Sequence, residues 1–584
     1  MAKRSSVRRR STLASVSVSV FVLAALQPRP LWAVEPDAGS LLRDELRRDK
    51  PPAPKVARDQ LGKPEAVDRA DDKGRRVAIK AWRVTGLTAV PAEQAQAFLA
   101  GFLAKPLTLE GMNRVAEQLE QWLRDRGLFT ARAYLPPQTI EDGTVEIRVL
   151  EGHVEAISVR TAPGTRLSEA TLRDFLAGSL APGSALTQDR LERGLLLMND
   201  LPATSARAVL APGKEVGGSR VVVEAAQGPV LSASADLDNG GNRYTGTARL
   251  AAGLLVNDAY GLGDQWSLRG SVSQGSSFVR GAYNLPLGTD GWRAGAALIG
   301  SHYSLCCDDA VKALDANGSA TALSAYVSYP VIRGRLDNLS LSVVGASRAF
   351  VNRSLGSTTS DKRSLSIGVS ASGDHSDPLS FTGLGAYTSY SVQVSGNDLK
   401  LDGWAPDLAQ DAATAQSQGG ALKLVAQLSQ TLRVASDATV YGAVLVQAAS
   451  KNLDSSEKFA LGGPQGIRAY PVGEASGDDA VLLNLEWRKE LTRQLGLLLF
   501  VDAGWVQLHH AAWPLWNSSD PGAKNSYALG GTGATVVWDV RPGAQLQATV
   551  ALPIGRNPGR DAKGHDADGR ASNARLWLQA SLAY

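Results

Sequence analysis

Arg468 and Asp502 are the two residues of this chain whose types and setting suit them best for chemistry together. Arg468 is the only cation between Lys458 and Arg488, and it lies in the run Gly462-Gly463-Pro464-Gln465-Gly466-Ile467-Arg468-Ala469-Tyr470. Asp502 lies in Phe500-Val501-Asp502-Ala503-Gly504. A guanidinium and a carboxylate can meet through two parallel hydrogen bonds, which is recognition chemistry rather than turnover. Groups for turnover are missing: the sequence has no Gly-x-Ser-x-Gly elbow, no Gly-x4-Gly-Lys-Ser/Thr phosphate loop and no Cys-x-x-Cys pair. His509 and His510 are adjacent beside Trp513 and Trp516, with no third ligand spaced for zinc. Cys306 and Cys307 are the only cysteines; a vicinal bridge and two free thiols both remain open. Gly530-Gly531-Thr532-Gly533 suits a turn or bend better than a nucleotide cradle. The expectation is a protein that is no enzyme and holds no metal and no cofactor.

The elements that must position the pair are strands. Across residues 480–491, Val481, Leu483, Leu485 and Trp487 share one face, and Asn484, Glu486 and Arg488 share the other. Across 495–506 every odd position is apolar, from Leu495 to Trp505, so Phe500, Asp502 and Gly504 fall together on the opposite face. One greasy and one charged face is the pattern of a strand between lipid and a wet lumen. Asp502 is then expected to point inward.

The loop followed by Phe-x-Asp-x-Gly resembles the paired signature of two-partner secretion transporters, in the superfamily that joins POTRA domains to an outer-membrane barrel. Arg468 and Tyr470, in the run that Gly466 opens, and Phe500, Asp502 and Gly504 match it, while Ile467 and Ala469 stand where the family has valine and glycine. The resemblance implies a transmembrane antiparallel β-barrel of about sixteen strands preceded by two α+β POTRA domains. It also implies that the long loop between the strands near Thr439 and Val481 folds into the pore, fixed by an ion pair of Arg468 with Asp502. Water in the lumen is expected to screen that pair toward the ~1 kcal/mol of exposed pairs.

The rest of the 584 residues is read around that site. The formal charge of +4 comes from the first 33 residues, which carry six Lys/Arg and no acid; the remainder is at −2. No basic footprint for nucleic acid is left. Residues 1–33 have a basic start, an apolar centre and Ala33, the anatomy of a signal peptide. In 34–76 a short helix with Ser40 as its candidate N-cap precedes a linker rich in Pro, Lys and Asp. The family resemblance implies that this helix plugs the barrel; composition alone also fits a disordered tail.

Residues 77–152 read as strand, helix, helix, strand, strand, with Pro91 opening one helix, Thr108 capping the next and Asp142-Gly143 marking a hairpin turn. The run from Ala131 through Tyr134, Pro136 and Gln138, with Glu151-Gly152 at the end, resembles the first POTRA domain of the family. Residues 153–228 repeat the order, with helices starting near Ser168 and Thr187. Such a unit leaves sheet edges free to add a strand from an unfolded guest. From 229 to 584 the segments alternate in polarity between turn residues, including candidates near Thr245 and Leu379. The last strand aligns Leu576, Leu578, Ala580, Leu582 and Tyr584, resembling the terminal signal read by the barrel-assembly machinery.

The function implied is export: the POTRA domains, in the periplasm, receive an unfolded exoprotein and the barrel passes it through outer-membrane lipid to the surface. An adhesin, a haemolysin and a toxin are equally open as cargo. Two other readings stand beside it, an assembly factor of the same superfamily and a passive porin. Two POTRA units and the Tyr134-to-Gln138 run favour export over the assembly factor, and the POTRA repeat argues against the porin.

Overall fold

The computed structural model describes residues 36–48, 76–103, 106–518 and 520–584. The expected signal peptide and nearly all of the expected linker lie outside the described residues.

Sixteen strands, from Leu231–Asp238 to Arg575–Ala583, close into one antiparallel barrel. The seam places the last strand on the first, from Gln579 opposite Asp238 to Ala583 opposite Ser234. Tyr584 extends it by exchanging both backbone hydrogen bonds with Ala233, at 2.8 and 2.9 Å. Closure satisfies every strand against a neighbour, the condition for a sheet to sit in hydrocarbon. The outer face carries exposed apolar side chains such as Leu298, Ile367, Leu422, Val501 and Leu578.

Two expected strand positions are corrected. Thr245 belongs to a short 3-10 turn, Arg243–Thr245, and the strand begins at Arg249; the Asn242 side chain accepts from the Tyr244 N–H at 2.9 Å and bends the chain there. Leu379 lies in the turn between Ser357–Asp377 and Ala386–Lys400. The Asp377 carboxylate takes the Leu379 and Ser380 N–H groups at 3.1 and 2.9 Å, an Asx turn that no apolar alternation reveals.

Ahead of the barrel, two units share one topology. In the first, Ala81–Thr85 runs parallel to the central strand Thr144–Leu150, and Arg132–Tyr134 pairs antiparallel on its other side. Helices Ala92–Ala100 and Leu109–Arg124 supply the core, with Leu99, Leu119, Leu123 and Ile147 fully buried. The Thr108 hydroxyl accepts from the Gly111 N–H at 3.0 Å and caps the second helix. In the second unit, His153–Thr161 is parallel to Gly218–Gln227, with Thr204–Pro212 antiparallel beyond it. Its helices Glu169–Ser179 and Gln188–Asn199 bury Leu172, Leu176 and Met198.

The second unit is braced on one rim of the barrel. Arg333 holds the Asp200 carboxylate through two bonds of 2.8 and 2.6 Å, Arg193 donates to the Pro330 carbonyl at 3.2 Å, and Gln227 donates to Asp258 at 2.8 Å. Because the strands alternate in direction, turns 258–264, 287–292 and 334–336 lie on this rim and loop 450–478 starts from the opposite one.

Candidate functional site

Loop 450–478 joins two strands that are direct neighbours, Ala438–Ala449 and Asp479–Glu490. It therefore spans no distance, and its length is used to fold into the lumen. A two-residue ladder, Phe459 opposite Gly477 and Ala460 opposite Ser476, closes its base. Its apolar residues Leu461, Ile467, Ala469 and Tyr470 are buried in one cluster with Leu482, Phe500, Val506, Leu529 and Ala551 of the inner barrel wall. Glycines on the wall make that fit possible. A Cβ on Gly504 would come within 2.8 Å of Leu461 and 3.1 Å of Ile467, and one on Gly531 within 2.6 Å of the Ala469 Cβ. The loop takes its positive φ angles at Gly463, Gly473 and Ala475, so Ala469 meets no conformational demand for glycine.

Arg468 sits within this loop with its backbone N–H and each guanidinium nitrogen hydrogen-bonded. Its N–H and Nε donate to Asp502 Oδ2 at 3.0 and 2.9 Å, and Nη2 donates to Asp502 Oδ1 at 2.7 Å. Nη1 donates to Glu486 at 2.8 Å, and the guanidinium lies 3.6 Å from the centre of the Phe500 ring. Asn484 Nδ2 bridges the same carboxylate, at 2.7 Å, to the Gly466 carbonyl at 3.1 Å. The Asp502 side chain is 0% exposed and that of Arg468 11%. The expected screening by water is therefore corrected: loop and wall together exclude solvent from the pair. Removing one partner of such a pair costs about 3–5 kcal/mol, because the other is left charged and unmatched.

The sequence reading did not include Asn484, Glu486 or Trp577 as partners. Asn484 faces Asp502 and Glu486 faces Phe500 across the ladder, a register that face periodicity alone leaves open. Trp577 lies on the inward face of the last strand, between the outward Leu576 and Leu578, and alternation does place it there.

Helix Ala38–Arg48 lies inside the barrel against the loop. Its start corrects the expected cap: Asp37 Oδ1 accepts from the Ser40 N–H at 2.8 Å while Ser40 Oγ accepts from the Asp37 N–H at 3.0 Å, a reciprocal capping box with Asp37 as the cap. Leu42 is buried, and the polar side chains bind the wall and loop alternately. Ala38 N–H donates to Asn352 at 3.0 Å, and Glu45 accepts from Arg249 and Ser271 at 2.6 and 3.0 Å. Arg43 donates to the carbonyls of Ser455 and Lys458 at 3.1 and 3.0 Å; Arg47 donates to those of Ala460 and Gln465 at 2.6 and 3.0 Å. From the loop, Asp454 binds Lys362, and Glu457 binds Arg348 and Lys423.

The residues singled out in the first unit are not gathered into one site. Pro136-Pro137 ends the strand at Tyr134, and Gln138 replaces its ladder by donating to the Glu146 carbonyl at 2.8 Å and accepting from the Glu146 N–H at 2.7 Å. Glu151 accepts from the Thr88 and Ala89 N–H groups at 2.6 and 2.7 Å. A Cβ on Gly152 would overlap Thr130, so the joint between the units is tightly packed. Tyr134 is 39% exposed on the sheet. His510 pairs with Asp479 at 2.8 Å, whereas the His509 ring lies edge-on to Trp513 and Trp516, so the two neighbours part. Cys306 and Cys307 are bonded to each other in the loop after Arg293–Ser304.

A profile of the POTRA domain, ShlB-type, matches residues 77–152, and one described as haemolysin secretion/activation protein ShlB/FhaC/HecB matches residues 217–519, just over half of the chain. Among similar proteins, the heme/hemopexin transporter protein HuxB of Haemophilus influenzae is 28% identical over 79% of this chain and 80% of its own length. The outer membrane transporter CdiB of Dickeya dadantii is 25% identical over 78% of this chain and 79% of its own. The solved structure of CdiB from Escherichia coli superposes with a TM-score of 0.72 at 20% identity, covering 93% of this chain and 95% of that one, which establishes the shared fold. With its POTRA units, its closed barrel and its inturned loop, the chain belongs to the ShlB/FhaC/HecB family of haemolysin secretion/activation proteins in the bacterial outer membrane.

Proposed function

We propose that this chain receives an unfolded exoprotein at its two periplasmic POTRA units and passes it through its own barrel to the cell surface, without catalysis of its own. The observation that carries this reading is the way the lumen is closed. Helix Ala38–Arg48 and loop 450–478 fill it through hydrogen bonds and ion pairs to wall side chains, contacts that can be exchanged without breaking the barrel ladder. Relatives named as transporters of heme/hemopexin and of hemolysin support the class of activity. The cargo of this chain would be an adhesin, haemolysin or toxin. Barrel lipid contacts follow from the apolar outer face, and the last strand ending in Tyr584 would be the segment presented to the barrel-assembly machinery.

The test is deletion of residues 153–228. The barrel ladder does not include these residues, so a heat-modifiable barrel should still reach the outer membrane while the exoprotein disappears from the medium. Undiminished exoprotein in the medium would overturn the receiving role.

A further inference from the structure

Charge inside the barrel is unevenly placed. Toward the surface, the inward cations Arg348, Lys362 and Lys423 are each bound to acids of the loop, and Lys362 also to Asp37. Toward the periplasmic rim, Asp374 and Arg433 occupy inward positions. Between these levels, the four neighbouring strands Asp337–Ser354, Ser357–Asp377, Ala386–Lys400 and Gly419–Ala435 present no charge inward. They present hydroxyls and amides in register. One row across the wall reads Ser340, Ser372, Ser391, Gln427, and the next begins Ser342, Ser370, Gln393. Ser342 and Ser370 share a hydrogen bond of 2.7 Å, as do Ser389 and Ser429.

The periplasmic end of the same wall adjoins the second POTRA unit, through Arg333, Asn338 and Asp374. The contacts of the second POTRA unit fall on the rim around Asp258, Asp290, Pro330 and Arg333. The next turn on that rim, 378–385, holds Leu379 and Phe381 out to 74% and 86% exposure, and its backbone is fixed by Asp377 and by Thr382, which donates to the Arg433 carbonyl at 2.9 Å.

We infer that the exported chain crosses the lumen along this uncharged hydroxyl wall, entering past the turn 378–385. The inference rests on the proposed export function and names its path. An unfolded chain in transit carries one backbone donor and one acceptor per residue, which need partners wherever water is thinned. A serine hydroxyl offers both roles and rotates to suit, so it can trade partners with successive peptide groups whatever their side chains. Fixed charges would instead hold some segments and repel others. On the adjoining wall, one strand further round, the inward groups of Asp479–Glu490 and Leu495–Gln507 are occupied by Arg468 and the packed loop. A path there requires the loop to leave along the depth of the wall, whereas a path along the serines meets the loop only at the surface end, where Arg348, Lys362 and Lys423 hold it.

The experiment uses the full chain in cells. The probe is the polypeptide whose appearance in the medium is lost when this chain is deleted. A photo-crosslinking residue is placed at Ser391 or Ser370, and in control chains at Ser234 or Ser267 on the far side of the lumen. Crosslinks to the probe are expected from Ser391 and Ser370 and not from the controls. In a second arm, Ser370→Arg with Ser391→Arg should lower export roughly tenfold, as a barrier of about 1.4 kcal/mol would, with heat-modifiable barrel unchanged; Ser234→Arg should leave export intact. Crosslinks from the controls alone, or equally from all four sites, would overturn the path while leaving export standing. If no polypeptide in the medium depends on this chain, export itself fails and the path falls with it.

Discussion

Trp577 Nε1 donates to the backbone carbonyl of Arg468 at 2.7 Å, tying the strand that closes the barrel to the loop that fills it. The bond ends on the residue whose side chain holds Asp502, so the strands Leu495–Gln507 and Arg575–Ala583 converge on one loop residue. Trp577→Phe keeps an aromatic ring, smaller than the indole, and removes the donor. It should cost about 1 kcal/mol, the net worth of one hydrogen bond, and leave the barrel folded. Limited proteolysis should then cut loop 450–478 faster than in the parent; unchanged cleavage would show that the bond does not restrain the loop.

Arg468 and Asp502 should act as a unit. Arg468→Ala and Asp502→Ala are each expected to impair export, at a cost to loop anchoring of about 3–5 kcal/mol, because each strands a buried charge. The double variant should do little further harm. Additive losses, or full export from Arg468→Ala, would leave the pair without a joint role. Glu486 limits the compensation, since it loses its own bond to Arg468 in either variant that lacks the arginine.

The barrel was legible because its outer face must be apolar and its inner face need not be, a demand that stamps period two on nearly every strand. Asp502 on the inward face followed from that alone. The pairing of Asn484 with Asp502 did not, since it depends on a register set by the whole sheet. Burial of the ion pair was misjudged for a related reason: a lone strand shows a wet face, and only the packed loop, with Ile467 and Tyr470 buried against Phe500, dries it. The helix was visible from Leu42 and Leu46, but Arg43, Arg47 and Glu45 look like an ordinary solvated face until their partners on the loop and wall are seen.

Arg47 offers a direct test of the helix as a plug. It donates to two loop carbonyls and lies 4.5 Å from the Phe459 ring, so Arg47→Ala removes contacts between helix and loop without touching the barrel ladder. Ion conductance in planar bilayers should rise, with more frequent openings than the parent. Equal conductance in the two proteins would mean that the helix does not depend on Arg47 for its seat.

Removing Tyr584 should lower the amount of folded barrel. The residue contributes both backbone bonds to Ala233 at the seam, and its side chain is fully exposed, available to be read before closure. Heat-modifiable barrel accumulating at the parental level without it would place the assembly signal elsewhere.

Glu474 should make the hold on the loop depend on pH. It lies in loop 450–478, outside the membrane-spanning strands, and it is buried where loop 555–574 folds over the mouth. Its carboxylate accepts from Asn557 Nδ2 at 2.8 Å and from the Ala567 N–H at 2.6 Å. The cations nearby are committed elsewhere: Arg560 binds Asp566, and Arg575 binds Asp566 and Asp568. Burial pushes the Glu474 carboxyl up to about 7, and the neighbouring charges of Asp566 and Asp568 push the same way, against the two hydrogen bonds it accepts. A carboxyl raised in this way penalises the closed contact only when ionised. The penalty is absent below the ordinary glutamate value, grows as pH rises and is complete above about 7, where it reaches roughly 3 kcal/mol. The loop should therefore be held most firmly in acid and loosen toward neutral and alkaline pH. Channel openings in planar bilayers should become more frequent from about pH 5 to about pH 8. Glu474→Gln keeps the size and one of the two acceptor oxygens without the charge, so its openings should stay at one level across the range, with no dependence on pH. A parent protein whose openings do not change with pH, or a Gln variant that retains the full dependence, would remove Glu474 from control of the loop.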